Sequence, residues 1–178
     1  MNYLTRIYDI AGDDYQVHQK LKSIFDQDDI LFQRGRFETV VLSTKAPTNK
    51  HQSADTRQIS DFLESIDIGS EFLFTARLNP VVTKQINEKG KRYPVQRNKL
   101  EEWIKSKLED AGMIAEFIYR TEGPRISAKG EHKITLSSVF VTGMCQVKDV
   151  IRFKTALTKG IGHGKGLGFG MINIFANL

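Results

Sequence analysis

Apolar and polar residues alternate along residues 3–10, as they do in a strand that buries one face. The spacing becomes helical after Asp13 and Asp14, with apolar residues at positions 17, 21, 24 and 25. Strands are predicted at residues 30–33 and 37–43, a helix at 56–66 and a strand at 71–78. This β-α-β-β-α-β order predicts a ferredoxin-like unit in the first half of the chain.

The second half again alternates helices and strands, although the two halves share no sequence repeat. Helices are predicted at 98–111 and 147–159, and strands at 114–119, 134–144 and 171–175. The first strand of this half is not clear from the pattern. The segment that precedes residue 98 is basic and lacks an apolar pattern, which indicates a hairpin or linker. The fold class is therefore expected to be α+β.

The stretch from Gly160 to Gly170 is rich in glycine and contains His163 and Lys165. Glycines permit positive φ, and successive N–H groups in such a loop bind anions. A P-loop is excluded because Gly166 stands where Ser or Thr should follow Lys165, and a dinucleotide-binding turn because the stretch follows a helix. Two interpretations stay open, a phosphate-binding loop and a flexible helix-to-strand connection.

The net charge of +5 is distributed unevenly. Residues 1–70 hold 8 Lys and Arg against 11 Asp and Glu, whereas residues 71–178 hold 18 against 10. A basic second half favours a nucleic acid partner over a merely solvated surface. The candidate phosphate contacts are Lys84, Lys89, Lys91, Arg92 and Arg97 in one segment, and Arg125, Lys129 and Lys133 in another.

Other classes of protein are disfavoured by what the sequence lacks. A single cysteine, Cys145, excludes an internal disulfide and favours the cytoplasm. The four histidines lack the spacing of zinc ligands, so neither a metal nor another cofactor is predicted. No apolar run approaches the roughly 20 residues of a membrane span, and the N-terminus shows no signal-peptide pattern.

Four short segments of the sequence are informative together because of their order and spacing along the chain. They are Tyr15-Gln16-Val17-His18-Gln19 on the first helix, Ile30-Leu31-Phe32 on the next strand, residues 72–80 with Arg77, Asn79 and Pro80, and Gly160-Ile161-Gly162 through Lys165 to Gly168-Phe169-Gly170. Together they resemble the CasE family of CRISPR repeat-processing endoribonucleases, which belong to Cascade-type surveillance complexes. The resemblance covers nearly the whole chain.

The resemblance implies two tandem ferredoxin-like (RRM-like, βαββαβ) domains. These would be residues 1–83, with the catalytic histidine, and 98–178, with the glycine-rich loop 160–170, joined by a basic hairpin or linker at 84–97. It implies metal-independent cleavage of precursor CRISPR RNA at the base of the repeat hairpin, leaving 5′-hydroxyl and 2′,3′-cyclic phosphate ends. The implied partners are the repeat hairpin and other Cascade subunits.

The resemblance also assigns residues. The catalytic histidine maps to His18, and a tyrosine one turn earlier maps to Tyr15. The glycine loop lies against the RNA in the family, which adds Lys159, Gly162, His163, Gly164 and Gly166 to the predicted RNA contacts. The chain departs from the family in being somewhat shorter and in having His163 within that loop.

The expected chemistry needs no metal, because RNA carries its own nucleophile in the 2′-OH. A histidine with a pKa of about 6.5 serves either as the base for the 2′-OH or as the acid for the leaving oxygen, and the sequence leaves both roles open for His18. Lys165 is the candidate for stabilising charge on the phosphate. The alternatives are a subunit that binds the repeat hairpin without cutting it, and a ferredoxin-like domain that binds a small anion.

Overall fold

The computed structural model describes residues 1–48, 54–86, 89–129 and 131–176. Their strands form two four-stranded antiparallel sheets and one two-stranded hairpin. The side chains of Lys89 and Lys129 lie outside the described part, so the predictions on them stay predictions. In the same ranges, no helix has both the length and the apolar character that crossing a membrane requires.

The first sheet and one long helix form the N-terminal unit. In chain order its elements are β1 (Tyr3–Tyr8), α1 (Asp14–Phe25), β2 (Leu31–Arg34), β3 (Glu38–Ser43) and β4 (Ala54–Gln58). The strands lie in the order β2-β3-β1-β4, which is the ferredoxin-like order. The helix covers one face of the sheet, and its core is formed by Ile7, Val17, Leu21, Phe25, Ile30, Phe32 and Val41.

The end of this unit differs from the prediction. The expected helix at residues 56–66 is a strand over its first part, and α2 spans only Ser60–Glu64. Residues of β4 pair with β1, with Thr5 opposite Thr56 and their hydroxyl oxygens 3.2 Å apart. Sheet pairing at an open edge has overridden the helical spacing of a short segment, as tertiary context commonly does.

The second unit has a complete βαββαβ order with a hairpin inserted after its first strand. Its elements are β5 (Glu71–Leu78), β6 (Val81–Ile86), β7 (Lys89–Pro94), α3 (Leu100–Asp110), β8 (Met113–Lys129), β9 (His132–Val147), α4 (Val150–Lys159) and β10 (Ile172–Ala176). The sheet order is β10-β5-β9-β8, and β6 pairs with β7 alone. The basic segment, for which the sequence left a hairpin or a linker open, thus contains a pair of antiparallel strands.

One strand belongs to the other sheet. The sequence pattern assigned residues 71–78 to the end of the first unit, but β5 pairs with β9 and β10 at the centre of the second sheet. The assignment is wrong because adjacency along the chain does not decide which sheet a strand joins. The change of sheet thus falls between Gln58 and Glu71, ahead of the predicted division at residue 83.

Both helices of the second unit cover one face of its sheet. Phe74, Ile104 and Phe153, each at most 1% exposed, lie in this larger core. The two units meet where Met171 packs with Leu31 and Leu42 of the first sheet. This contact brings the segment before β10 against the first unit, and with it the end of the glycine-rich loop.

Candidate functional site

A capping box fixes the start of α1. The Asp13 carboxylate accepts the Gln16 backbone N–H at 2.9 Å, and the Gln16 side-chain oxygen accepts the Asp13 N–H at 3.0 Å. Val17 and Leu21 are fully buried, whereas His18 is half-buried at the edge of the same helical face. The cap and the apolar spacing therefore determine where the imidazole leaves the helix.

His18 contacts both units. Its ring stacks on Phe32 of β2, with the ring centroids 5.9 Å apart and the planes 16° from parallel. On the second unit it meets Gly166, where an added Cβ would lie 3.1 Å from His18 Cε1 and 3.3 Å from Nδ1. The absence of a side chain at position 166 is what permits this approach.

The glycine-rich loop has a fixed shape in this structure. Its ends join where the Ile161 N–H donates to Gly170 O at 2.8 Å, and the Gly170 N–H donates to Arg77 O at 2.7 Å. Between them a 3₁₀ turn at Lys165–Leu167 is flanked by Gly164 and Gly168, with φ of 86° and 78°. These hydrogen bonds and the turn define the path of the loop between α4 and β10.

The loop also has unused donors. The N–H groups of Gly164, Lys165 and Gly166 donate to no acceptor within the described ranges. Consecutive free N–H groups at the start of a helical turn attract an anion. Since Gly166 touches the His18 ring, an anion bound there would lie beside the imidazole.

These residues line one cleft of about 530 Å³. Its walls include His18, Lys165, Gly166 and Lys159, together with Asp28 and Asp29. The structure thus brings together His18, Lys165, Lys159 and Gly166 of the predicted site. Tyr15, which is partly buried one turn earlier on α1, does not line this cleft.

The surroundings of His18 shift its ionisation. Burial lowers the pKa of His18, and the positive charge of Lys22 lowers it further, while Asp28 acts in the opposite direction. Lys22 lies one turn after His18 on α1 and forms an ion pair with Asp28. The effect of Lys22 on His18 was not predicted from the sequence, although their i, i+4 spacing places the two side chains next to each other on α1.

His163 has a different position from His18. Its backbone forms a β-bridge with Asn79, which directly follows β5. Burial lowers the pKa of His163, and the charges of Arg92, Lys107 and Lys165 contribute in the same direction. His163 is not among the residues that line the His18 cleft. It lies in the cationic surroundings of the loop.

The β6–β7 hairpin presents a cluster of cations. Lys84 and Lys91 are directly opposite each other, and their Nζ atoms lie 5.6 Å and 5.7 Å from the centre of the Tyr93 ring. Like charges on opposite positions destabilise a strand pair, so this arrangement favours an anionic partner. Arg92, Arg97 and, on β9, Lys133 are also exposed.

Arg125 has a protein partner. Its Nε and terminal NH₂ group donate to the Asp14 carboxylate at 2.7 Å and 2.6 Å, and Asp14 is only 4% exposed. Asp14 begins α1, so this ion pair ties the helix of His18 to the long β8 strand of the second unit. A phosphate contact from Arg125 would require the pair to break.

Arg77 also has its partners within the protein. Its Nε donates to Glu122 Oε2 at 2.8 Å, and its NH1 group donates to Arg34 O at 2.7 Å. Burial acts to raise the pKa of Glu122, but hydrogen bonds from Arg77 and Ser138 outweigh it and hold the pKa below its usual value. In the described parts of the chain, no cluster of three or more His, Cys, Asp or Glu side chains could hold a metal.

A family model described as CRISPR associated protein matches residues 5–175. No curated protein matches the chain by sequence. The match extends over almost the full length of the chain, so it includes both the α1 histidine and the glycine-rich loop.

Solved structures share the fold over their whole length. Cas6e of Escherichia coli K-12 is 22% identical, with a TM-score of 0.76 and coverage of 99% of this chain and 100% of that one. Thermus thermophilus Cse3, bound to an RNA that represents a pre-cleavage complex, is 19% identical, with a TM-score of 0.75 and 98% of each chain covered. A chain of a CRISPR RNA-guided surveillance complex in a pre-nicking state is 18% identical, with a TM-score of 0.79 and coverage of 99% and 100%. The expected fold, two tandem ferredoxin-like domains, is confirmed.

Proposed function

The chain belongs to the CRISPR-associated protein family, and from this premise we propose that it is an endoribonuclease that cleaves precursor CRISPR RNA at the base of the repeat hairpin. One observation carries the proposal: the His18 imidazole touches a loop whose N–H groups at Gly164, Lys165 and Gly166 are free to bind a phosphate. A general base and an anion site beside each other are what cleavage by a 2′-OH requires.

The reaction assigned to this cleft is an in-line displacement at phosphorus. The 2′-OH loses its proton as its oxygen bonds to phosphorus, and the bond from phosphorus to the 5′-oxygen breaks. The products are a 2′,3′-cyclic phosphate and a 5′-hydroxyl, and the leaving oxygen gains a proton. The loop N–H groups and the Lys165 ammonium stabilise the charge that accumulates on the phosphate oxygens.

The lowered pKa of His18 favours the role of base. Burial and Lys22 leave the ring mostly neutral at neutral pH, with a free nitrogen to accept the 2′-OH proton. Tyr15 lies outside the cleft wall, and its proposed part is to orient the ribose or a phosphate at the edge of the site. No step of the proposed reaction is assigned to a metal.

The RNA-binding surface proposed here consists of the loop and the exposed cations. Lys84, Lys91, Arg92, Arg97 and Lys133 would contact phosphates of the stem, with Lys159, Gly162 and His163 nearer the cut. An A-form stem is recognised largely through its phosphates and shape, which suits a hairpin of lysines and arginines. Cse3 of Thermus thermophilus is bound to RNA in its structure. We also propose that this chain works in the cytoplasm as a subunit of a Cascade-type surveillance complex.

The test is a cleavage assay with a repeat-hairpin RNA in the presence of EDTA. The wild-type chain is expected to give a single cut with a 2′,3′-cyclic phosphate end, and His18→Ala to lower the rate by about 10²- to 10⁴-fold without weakening RNA binding. Gln19→Ala, an exposed neighbour on α1, serves as the control and should cleave normally.

Three results would contradict this function or part of it. A requirement for Mg²⁺ would reject the metal-independent mechanism, and full activity of His18→Ala would reject the assigned base. Tight binding of several repeat RNAs without any product would instead identify a non-catalytic binding subunit.

A further inference from the structure

The second sheet has one face that its own helices do not cover. Along β5 and β8 the side chains alternate, so that Phe74 and Met113 face the helices while Leu73, Ile114 and Ile118 point away from them. The strand register places Phe175 beside Leu73, and Leu73 beside Met144. These outward residues form one continuous surface across four strands.

The first unit covers only one end of this face. There Arg77 reaches the Arg34 carbonyl, and its guanidinium lies 5.6 Å from the centre of the Phe140 ring. At the other end the apolar side chains are exposed: Leu73 by 46%, Phe175 by 46%, Ile114 by 57% and Ile118 by 73%. We use the name open half-face for the surface of these four residues together with Glu71 and Glu116.

The charges of the open half-face disfavour RNA. Its ionisable groups are the carboxylates of Glu71 and Glu116, on a chain whose net charge is +5. Glu71 accepts a hydrogen bond from Gln146 in the same outward layer, and the cations Lys148 and Arg120 lie only at its borders. Phosphates would be repelled by the carboxylates and would find no donors among Leu73, Ile114 and Ile118.

The size of the open half-face indicates whether it binds a second copy of this chain or a different subunit of a larger assembly. At about 3.3 Å per residue and 4.8 Å between strands, five residues on each of four strands cover about 320 Å². A stable interface between two proteins needs about 800 Å² from each partner. The open half-face is therefore too small to hold two copies of this chain together, but it suits one contact in an assembly held together at several places.

We propose that the open half-face binds a neighbouring protein subunit of the surveillance complex, through an apolar surface flanked by Lys or Arg side chains. Contiguous exposed apolar side chains commonly mark such a binding site, and basic flanks would complement Glu71 and Glu116. This inference rests on the proposed function for its partner, but the contact is separate from the RNA-cleaving cleft.

The experiment distinguishes a direct contact between protein subunits from attachment through the bound repeat hairpin. The other subunits from the same source are assembled on a guide RNA that lacks the repeat hairpin, and the full-length chain is added to them. Wild-type chain is expected to bind, whereas Leu73→Glu and Ile118→Glu should each bind at least about 10-fold more weakly, since a charge replaces an apolar contact. Glu116→Lys should weaken binding less and mainly at low salt.

The matched control is Ile151→Glu, because Ile151 is 81% exposed but lies on α4, away from the open half-face. This variant should bind as the wild type does. All variants should keep the melting temperature and cut the repeat hairpin at the wild-type rate, which reports on the proposed function independently.

Four outcomes would overturn the inference. They are failure of the wild-type chain to bind the assembly, equal binding by the Leu73 and Ile118 variants, loss of hairpin binding in those variants, and self-association of the wild type that these substitutions abolish. The third would assign the surface to RNA and the fourth to a second copy. Failure of the proposed function, in contrast, would appear as an absence of RNA cleavage in the wild type.

Discussion

His18 reaches the glycine-rich loop because position 166 has no side chain. A methyl group there would lie 3.1 Å from Cε1 and 3.3 Å from Nδ1 of the imidazole, which is closer than ordinary van der Waals contact. The φ of Gly166 is not in the left-handed region, so alanine would adopt the backbone conformation without strain. The contact with His18 is therefore the feature that such a substitution would change.

We predict that Gly166→Ala lowers the rate of RNA cleavage by about 10-fold or more and changes the free energy of unfolding by less than about 1 kcal/mol, since a half-buried ring can move aside. Single-turnover kinetics and urea denaturation measure the two effects. Gly123→Ala is the control, because nothing lies within 4 Å of a Cβ at that position. Full activity of Gly166→Ala would show that the packing of His18 on the loop is not needed.

The ionisation of His18 leads to a second prediction at this scale. Burial and Lys22 lower its pKa, so the unbound protein loses the ring proton at a pH below the usual value of about 6.5. If neutral His18 is the base, the second-order rate of cleavage rises with pH, and the inflection of this rise lies below that value. The measurement is a pH–rate profile between about pH 4.5 and 8.

The variant Lys22→Met tests whether the inflection of this profile reports the pKa of His18. Removing the cation that lowers the pKa of His18 should move the inflection to higher pH. A rate that falls with rising pH over the same range would indicate instead that protonated His18 acts as the acid.

At the scale of elements, the β6–β7 hairpin is the clearest case of a surface arranged for an anion. Lys84 faces Lys91 across the strand pair, and both approach the Tyr93 ring. The sequence predicted a basic hairpin or linker at this place from its charge and its lack of apolar pattern. The pairing register, which places the two ammonium groups side by side, required the structure.

We predict that replacing both Lys84 and Lys91 with alanine weakens binding of the repeat hairpin and reduces the slope of log K against log salt by about 1.4 to 1.8, because two phosphate contacts are lost. The cleavage rate at saturating RNA should change little. Filter binding between about 50 and 300 mM salt measures the slope.

Lys148→Ala, at the junction of β9 and α4, is the control cation for this experiment and should leave the slope unchanged. An unchanged slope in the double variant as well would remove the hairpin from the RNA-binding surface.

At the scale of the whole molecule, an ion pair with a buried carboxylate joins the two units. Asp14 on α1 and Arg125 on β8 are 111 residues apart in sequence, and their bidentate contact joins the second unit to the start of α1. The Ala128 N–H adds a bond to Asp13 at 3.0 Å in the same region. Together with the packing of Met171, this contact joins the two units at the start of the helix that carries His18.

We predict that Arg125→Met lowers the free energy of unfolding by about 1–3 kcal/mol, because a buried carboxylate loses its main charged donor while Arg34, 3.4 Å away, remains. Cleavage should slow as α1 becomes less fixed relative to the loop. Urea denaturation and single-turnover kinetics measure these effects.

Lys133→Met is the matched control, since Lys133 is exposed on the neighbouring strand and makes no ion pair with the described residues. It should alter stability by less than about 0.5 kcal/mol and weaken RNA binding. Equal stability of the Arg125 variant and the wild type would show that the Asp14 contact does not hold the units together.

The sequence alone determined the features that depend on near neighbours along the chain. The acidic cap and the spacing of Val17, Leu21 and Phe25 fix α1 and place His18 at the edge of its buried face. The glycines of residues 160–170 and the basic segment were also evident, because composition and local pattern set backbone freedom and charge. The family resemblance added the tandem fold and the expectation that His18 is catalytic.

The tertiary structure alone decided which distant residues meet. The pattern along residues 71–78 is the same whether β5 joins the first sheet or the second, and only its pairing with β9 and β10 distinguishes them. In the same way, the sequence does not distinguish Arg125 from an unpaired cation, and only the structure shows its ion pair with Asp14. Nor does the sequence distinguish Gly166 from the other glycines of the loop, and only the structure shows that it packs against His18. Such contacts depend on the packing of one unit on the other, which local propensity and spacing do not encode.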